Sequence, residues 1–255
     1  MIVEQYSNHA NAVLLVTGSD TGVGKTVFTG LLGRYLNNKG VGSRLAKPFC
    51  SGGRRDIDFL AKCCALSQAE VNYWYDDEPV SPKAWELRTG KKVDFEGCVQ
   101  WLKKEKGRGK KEGKCGIILV EGVGGFLAPL AMGETVASLG QALGAKLIVV
   151  ASNRVGVVNH VLLTLEASMT RGGSVACVVL IEQENPDSSS VDNAELIRMN
   201  MPSINGFNGV FNFPWLGKGA DDPDLIPINV KKADSVLEKI FDEVFKPYFI
   251  NVLRN

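Results

Sequence analysis

Short runs of consecutive apolar residues alternate along the chain with stretches in which apolar residues recur every three or four positions. The first run, residues 12–16, predicts a strand. It precedes a stripe with the spacing i, i+3, i+4, i+7, i+8, which predicts a helix ending at Lys39-Gly40. The stripe consists of Phe28, Leu31, Leu32, Tyr35 and Leu36.

The same alternation continues through the rest of the chain. Strands alternating with helices indicate an α/β fold with a mostly parallel central sheet. No internal repeat or Pro/Ser-rich linker interrupts the pattern, so residues 1–255 are predicted to form a single domain. A C-terminal amphipathic helix is predicted from Val230, with Val236, Ile240, Phe241, Val244 and Phe245 on its apolar face. The remaining predicted elements are strands at 43–48, 116–120, 146–151, 175–181 and 209–213 and a helix at 159–168.

Composition and charge narrow the class of protein. Apolar residues make up 45% of the chain and charged residues 22%, and the formal net charge is +1. This balance argues against nucleic acid or an anionic membrane surface as the main partner. The longest apolar runs, such as residues 175–181, are too short to span a bilayer, and residues 1–7 lack the pattern of a signal peptide. We therefore expect a cytoplasmic protein.

The cysteines and histidines suggest neither disulfides nor a zinc site. The six cysteines include no Cys-x-x-Cys pair, and the two histidines are His9 and His160. Reduced thiols are the expected state.

Residues 103–114 form a strongly basic segment, with seven Lys or Arg and two Glu among glycines. A solvated loop between a helix and the strand that begins near Ile117 is the favoured interpretation. A nucleic-acid-binding patch is the alternative.

Residues 19–26, Ser-Asp-Thr-Gly-Val-Gly-Lys-Thr, lie between the first strand and the first helix, where a phosphate-binding P-loop belongs. Backbone N–H groups of such a glycine-rich turn, with the N-terminus of the next helix, form an anion site. Lys25 can reach the β- and γ-phosphates of a nucleotide, and the Thr26 hydroxyl can ligate Mg²⁺. Ser19 replaces the first glycine of the strict motif with another small residue. The motif predicts nucleotide binding on a P-loop NTPase-like three-layer fold, without specifying the reaction.

Charged residues follow two other predicted strands. Glu121 comes directly after an apolar run, where a carboxylate can hold Mg²⁺ or its water. The segment 47–53, Lys-Pro-Phe-Cys-Ser-Gly-Gly, ends the second strand with a cation and a hydroxyl, and Asp56 and Asp58 follow at a helix start. Taken alone, each of these charges is also compatible with an ordinary turn or helix cap.

In combination these motifs resemble the dethiobiotin synthetase family. Lys-Pro-x-x-Ser-Gly, Glu-Gly-Val-Gly-Gly and Gly-Val-Val-Asn-His are more specific than the P-loop, which many ATPases share. The matching pieces follow the family's order and span most of the chain. They lie at residues 17–26, 47–52, 81–82, 89–90, 120–125, 156–160 and 213–216.

The resemblance implies an ATP-dependent carbon–nitrogen cyclo-ligase of biotin biosynthesis that requires Mg²⁺. The family joins CO₂ to 7,8-diaminononanoate. An amine carbamate attacks the γ-phosphate to give a carbamic–phosphoric anhydride, and the second amine closes the ureido ring of dethiobiotin with loss of phosphate. A carbamate and a triphosphate repel each other, so cations must lie between them.

By the resemblance, Lys25, Lys47 and Thr21 would be catalytic. Thr21, Lys47 and Ser51 would contact the carbamate or diamine end of the substrate. The nucleotide would contact Gly22, Val23, Gly24, Lys25, Thr26, Val27, Glu121, Gly122, Val123, Gly124, Pro214, Trp215 and Leu216.

The resemblance also implies a metal site and a dimer. Mg²⁺ would be ligated by Thr26, Glu121 and one of two aspartates, of which Asp56 is preferred to Asp58. The distal carboxylate of the substrate would be held by the partner subunit of a homodimer, and His160 would be structural. The residues implied at that carboxylate are Gly156, Val157, Val158 and Asn159.

Base preference and two other protein classes stay open at this point. Ile181 begins the segment in which relatives often carry an Asn that contacts adenine, so ATP is only the default nucleotide. A regulatory or partitioning P-loop ATPase is the main alternative, although such proteins usually carry a second lysine where this chain has residues 20–22. The second alternative is a relative of the cobyrinate-type amidotransferases, although the chain lacks room for a glutaminase domain.

Overall fold

The computed structural model of the protein describes residues 12–111 and 116–246. The predictions for residues 1–7, for Cys115 and for positions 112–114 lie outside the described residues. The strands are β1 (Val13–Gly18), β2 (Ser43–Ala46), β3 (Phe49–Ser51), β4 (Trp74–Asp76), β5 (Ile117–Gly125), β6 (Pro129–Ala131), β7 (Glu134–Thr135), β8 (Lys146–Ser152), β9 (Ser174–Ile181) and β10 (Val210–Phe213). The α-helices are α1 (Lys25–Asn38), α2 (Arg55–Cys64), α3 (Gln68–Val71), α4 (Pro82–Thr89), α5 (Phe95–Lys111), α6 (Val136–Leu143), α7 (Val157–Thr170), α8 (Asn193–Asn200), α9 (Ile226–Lys232) and α10 (Asp234–Ile240).

The central sheet has six strands within these ranges, in the order β10-β9-β8-β1-β5-β2, and every pairing in it is parallel. β1 lies between β5 and β8, with Leu15 opposite Val120 on one side and Leu147 on the other. All of β1 is buried, as expected of a strand covered on both faces. The predicted α/β class with a mostly parallel sheet is confirmed.

Helices cover both faces of the sheet because successive strand side chains point in opposite directions. Leu14 packs in one apolar cluster with Leu32 of α1, whereas Leu15 packs in the other with Val161 of α7. The result is three layers. Because the strands are parallel, their carboxyl ends share one edge, where the loops after β1, β2 and β5 meet.

The basic segment is helical over most of its length, so the predicted solvated loop is wrong for residues 103–111, which belong to α5. The apolar positions Val99 and Leu102 are buried and continue a helical spacing to Glu105, which is buried as well. The Glu105 carboxylate accepts a 2.8 Å hydrogen bond from Arg44 Nη2 of β2. This ion pair compensates the buried charge of Glu105, which the predicted loop would have exposed to solvent.

The C-terminal helix is interrupted, so the prediction of one helix from Val230 is wrong in its start and continuity. α9 ends at Lys232, α10 begins at Asp234, and a π-helical turn occupies Phe241–Phe245. The predicted apolar face is confirmed, because its residues are buried or packed against the core. Within the described ranges, none of the helices combines the length and the apolar character of a membrane span.

Two small sheets were not predicted. β3 pairs with β4 in parallel, with Ser51 opposite Asp76, and β6 pairs with β7. Strands of two or three residues carry too little periodicity to be recognised in a sequence. The first pair is important for the site, because it holds Ser51, a predicted site residue, against β4.

Candidate active site

The P-loop follows β1 at the carboxyl edge of the sheet, as predicted. Gly22 and Gly24 have φ angles of 72° and 92°, a region in which a side chain is strained. A Cβ on Gly18 would clash with the Asp20 carbonyl and lie 2.8 Å from Lys25 Nζ. The glycines therefore permit both the curl of the loop and the position of the lysine.

Lys25 is buried at the start of α1, and its ammonium donates a 3.0 Å hydrogen bond to the Asp20 carbonyl. Burial lowers the pKa of Lys25, and the nearby Glu121 carboxylate partly offsets that effect. The N-cap residue of α1 is Gly24, which provides no side-chain cap, so the first N–H groups of the helix are available to an anion. Cation and helix N-terminus together favour phosphate.

Glu121 lies in β5 and is almost completely buried. Its Oε1 accepts hydrogen bonds of 2.7 Å from Thr26 Oγ1 and 2.7 Å from Lys47 Nζ. Its Oε2 is buried without a hydrogen-bond partner. An unsatisfied buried carboxylate oxygen is costly, and a cation is the ligand that it suits best.

Lys47 is held in place from both its backbone and its side chain. Its N–H donates to the Val71 carbonyl at 2.7 Å, and Asn72 Nδ2 donates to its carbonyl at 2.8 Å. Its ammonium donates to Asp56 Oδ2 at 2.5 Å as well as to Glu121. Burial alone would lower the pKa of Lys47, but the Glu121 and Asp56 carboxylates outweigh it and raise the pKa.

The two aspartates of α2 point to different surroundings, as residues two apart on a helix must. Asp56 lines a cavity beside the P-loop and contacts Lys47. Asp58 is exposed and accepts a 2.5 Å hydrogen bond from Gln68 Nε2 of α3. Only Asp56 is therefore positioned beside Glu121.

A cavity of about 580 Å³ brings most of the predicted site residues together. Those that line it are Thr21, Gly22, Gly24, Lys25, Thr26, Val27, Lys47, Ser51, Asp56, Glu121, Gly122, Val123 and Gly124. The cavity walls also contain residues for which no role was predicted, namely Pro79, Val80, Ser81, Pro82, Ala128, Pro129 and Asp221.

Other predicted residues lie outside the walls of this cavity. Val23 is buried in the apolar core. Pro214, Trp215 and Leu216 follow β10, with Trp215 exposed. The residues implied at the distal carboxylate of the substrate lie at the start of α7. Gly156 precedes the helix, Val157 is buried, Val158 is half-buried and Asn159 is exposed.

The wall residues without a predicted role differ in how visible they are in the sequence. Ser81-Pro82 is a recognisable helix start, and Ser81 Oγ accepts a 3.2 Å hydrogen bond from the Ala84 N–H. Asp221 lies in an irregular loop after β10 and has no such signal.

The oxygen donors of the cavity fit a hard divalent cation. Thr26, Asp56 and Glu121 contribute a hydroxyl and two carboxylates, and Glu121 Oε2 is unsatisfied. No group of three or more His, Cys, Asp or Glu side chains suited to a metal occurs in the part of the chain that the structure describes. A metal here would therefore depend on nucleotide and water oxygens to complete its coordination, as is usual beside a P-loop.

Comparisons with known proteins agree with this geometry. A family model described as an AAA domain matches residues 12–226. The ATP-dependent dethiobiotin synthetase BioD of Anaeromyxobacter sp. (strain Fw109-5) is 36% identical over 194 residues, which cover 73% of this chain and 84% of that protein. The protein of the same name from Mycolicibacterium vanbaalenii is 30% identical over 225 residues, which cover 84% of this chain and 97% of that protein.

Among solved structures, a signal recognition particle receptor FtsY from Elizabethkingia anophelis in complex with GDP is similar, with a TM-score of 0.48 and 13% identity. The match covers 88% of this chain and 64% of that chain. At this level of similarity, neither the ligand nor the activity of that receptor is attributed to this chain.

The parallel sheet, the glycine loop and the lysine at the start of α1 define a P-loop nucleotide-binding protein. Within that class, the chain belongs to the ATP-dependent dethiobiotin synthetase family, since relatives of that name match it over most of their length. The predicted family is confirmed, and with it an enzyme of the ligase class in biotin biosynthesis.

Proposed function

We propose that this chain closes the ureido ring of dethiobiotin from 7,8-diaminononanoate and CO₂, with ATP as co-substrate and Mg²⁺ as cofactor. The observation that carries the proposal is the convergence of Lys25, Lys47 and Glu121 in one cavity beside the P-loop. Two lysines and a carboxylate with an unsatisfied oxygen suit a reaction in which two anions must be brought together.

Thr26, Asp56 and Glu121 would hold Mg²⁺. When bound, the ion supplies positive charge that neutralises phosphate oxygens. Asp56 is proposed over Asp58 because it lines the cavity, whereas Asp58 contacts Gln68 outside it.

Lys25 and Lys47 would reduce the repulsion between the carbamate and the triphosphate. Both ammonium groups are buried, and charges act more strongly away from bulk water. A carbamate oxygen held there attacks the γ-phosphorus and releases ADP. The second amine then attacks the carbamoyl carbon and expels phosphate, and holding it close makes closure effectively unimolecular.

Thr21 and Ser51 would bind the carbamate or diamine end of the substrate. Both line the cavity, and Ser51 is fixed by the pairing of β3 with β4. Gly22, Val23, Gly24 and Val27, together with Gly122, Val123 and Gly124, would surround the nucleotide phosphates. Of these seven residues, all but Val23 line the cavity, and Val23 anchors the loop in the core.

The base would lie toward Pro214, Trp215 and Leu216. These residues follow β10, whose carboxyl end shares the sheet edge with the P-loop. Ile181, at the end of β9, would meet a Cβ at Gly24 at 3.3 Å, so this side of the nucleotide site is apolar. ATP is proposed from the names of the relatives.

A homodimer would place Gly156, Val157, Val158 and Asn159 of one subunit against the substrate of the other. Leu163 is 56% exposed and lies one turn after Asn159, on the same face of α7. Val155, two residues before the helix begins, is 75% exposed. Apolar side chains flanking a proposed binding residue fit a surface that a second subunit covers.

We also place the enzyme in the cytoplasm. The described cysteines, four buried and one half-buried, are unpaired, which suits a reducing compartment.

The direct test is nucleotide hydrolysis with bicarbonate, with and without 7,8-diaminononanoate, followed by detection of the ureido product. We expect phosphate release to require the diamine and to match product formation. Hydrolysis that is independent of the diamine and gives no ureido product would instead favour a regulatory ATPase. Parallel assays with CTP and GTP determine the base preference.

A further inference from the structure

Asn153, the residue directly after β8, has a completely buried side chain. Its Nδ2 donates to Glu182 Oε1 at 2.9 Å and to the Ser190 carbonyl at 3.0 Å. Its Oδ1 accepts a 2.9 Å hydrogen bond from Asn193 Nδ2. Both N–H groups of the amide and its oxygen therefore have partners, and a buried polar network that is satisfied in this way specifies one arrangement. Asn153 fastens the connection between β9 and α8, residues 182–192, to the end of β8.

Asp187, in the same connection, holds the chain just beyond Asn153. Its Oδ2 accepts a 2.8 Å hydrogen bond from the Val155 N–H, 32 positions away in the sequence. Its Oδ1 accepts hydrogen bonds of 2.9 Å from the Ser189 N–H and 2.5 Å from the Ser189 hydroxyl. Hydrogen bonds to a carboxylate are among the stronger ones in proteins. Because Ser189 orients the carboxylate from one side, its other oxygen is directed at Val155.

Val155 leads into the turn that presents the N-terminus of α7. It directly precedes Gly156, the N-cap residue, which has a φ angle of 88° and provides no side-chain cap. The first N–H groups of α7 are thus available to an anion. The buried Val157 and Val161 fix the helix axis in the core, whereas the hydrogen bond at Val155 fixes the turn before it. Asp187 therefore determines how the proposed carboxylate-binding residues are presented.

We propose that Asp187 is a positioning residue for the distal carboxylate of the diamine substrate, acting through Val155 and Gly156. The inference rests on the proposed function, which places that carboxylate at the start of α7 of the partner subunit. Hydrogen bonds from Ser189 and Val155 lower the pKa of Asp187, so its side chain is ionised at neutral pH. Its own charge would repel a carboxylate. Positioning and simple repulsion therefore predict opposite effects when Asp187 is replaced.

Asp187→Ala tests the proposal with two substrates, 7,8-diaminononanoate and 2,3-diaminooctane, which keeps both amines and has hydrogen in place of the carboxylate. We expect kcat/KM for 7,8-diaminononanoate to fall about three- to tenfold, mainly through a higher KM. For 2,3-diaminooctane, kcat/KM should change less than about two-fold, because the group that Asp187 helps to position is missing. A general structural defect would lower both values alike, and loss of repulsion alone would raise the first.

Two further variants separate geometry from charge. Glu184→Gln is the matched control, since Glu184 lies in the same connection and forms an ion pair with Lys218, at 3.5 Å, rather than with β8 or α7. It should leave both kcat/KM values unchanged. Asp187→Asn keeps one oxygen that can accept from Val155, so its kcat/KM for 7,8-diaminononanoate should lie between those of Asp187→Ala and the original chain.

Two results would overturn the proposal. One is an Asp187→Ala variant that uses 7,8-diaminononanoate as well as the original chain does, or better. The other is an equal loss of kcat/KM for the two diamines. If the original chain forms no ureido product from either diamine, the proposed function itself fails. Product formation with an unaltered preference between the diamines in Asp187→Ala contradicts only the role of Asp187.

Discussion

Thr26 and Glu121, 95 positions apart in the sequence, are joined by a 2.7 Å hydrogen bond from the Thr26 hydroxyl to Oε1 of the carboxylate. The contact follows from the sheet, because Thr26 is the second residue of α1, which follows β1 through the phosphate loop, and β1 pairs with the β5 strand that contains Glu121. The other carboxylate oxygen is buried without a hydrogen-bond partner. Such an oxygen costs about 1–3 kcal/mol, which a bound cation would offset.

Glu121→Gln tests this relationship, because it keeps the shape of the side chain and removes its charge. We expect the affinity for Mn²⁺ in the presence of ATP to fall at least about tenfold, as measured by electron paramagnetic resonance. Glu195→Gln, at an exposed ion pair on α8, is the control and should bind Mn²⁺ normally. Unchanged Mn²⁺ affinity in Glu121→Gln would exclude Glu121 as a ligand.

Lys25→Ala tests the cation of the phosphate loop. We expect kcat to fall about 10²- to 10³-fold, since a charge aimed at the transferring phosphoryl group is lost. The melting temperature should not fall in parallel, because burial opposes the charged form of Lys25 in the folded protein. Near-normal turnover would rule out the catalytic role of Lys25.

Local sequence was sufficient for the phosphate loop but not for its surroundings. The P-loop is contiguous, and Glu121 could be predicted because a carboxylate that directly follows a buried apolar run lies toward the carboxyl end of its strand, although β5 itself continues to Gly125. Choosing between Asp56 and Asp58 required knowing the residue at which α2 begins, because a shift of the helical register by one residue changes which of the two side chains faces the cavity. The ion pair of Arg55 with Asp221 depends on the path of an irregular loop and has no periodic signal.

Gly24→Ala separates backbone strain from ligand binding. Gly24 and Gly172 both have positive φ angles, so alanine at either position should destabilise the fold by about 1–2 kcal/mol in urea denaturation. Only at Gly24 would the new Cβ also meet Ile181, at 3.3 Å. Nucleotide affinity should therefore fall in Gly24→Ala and stay normal in Gly172→Ala. Equal affinities in the two variants would contradict a role for the loop's conformation.

The ionised Glu70 carboxylate should stabilise the fold, and this contribution should be lost at acidic pH. Its carboxylate accepts hydrogen bonds from the Ser67 N–H at 3.0 Å, from Arg44 Nη2 at 2.9 Å and from the Ser67 hydroxyl at 2.8 Å. These bonds lower the pKa of Glu70 from 4.5 to about 2. Because the folded pKa lies below the unfolded one, the stabilisation is complete above pH 4.5 and is lost as the pH falls toward 2.

Glu70→Gln removes this titration. In urea denaturation across that pH range, we expect the free energy of unfolding of the variant to lie below that of the original chain near neutral pH. The two curves should converge in acid, because the original carboxyl group is then protonated as well. The control Glu195→Gln should follow the original chain throughout. A constant difference between Glu70→Gln and the original chain at every pH would show that the ionised carboxylate contributes nothing to stability.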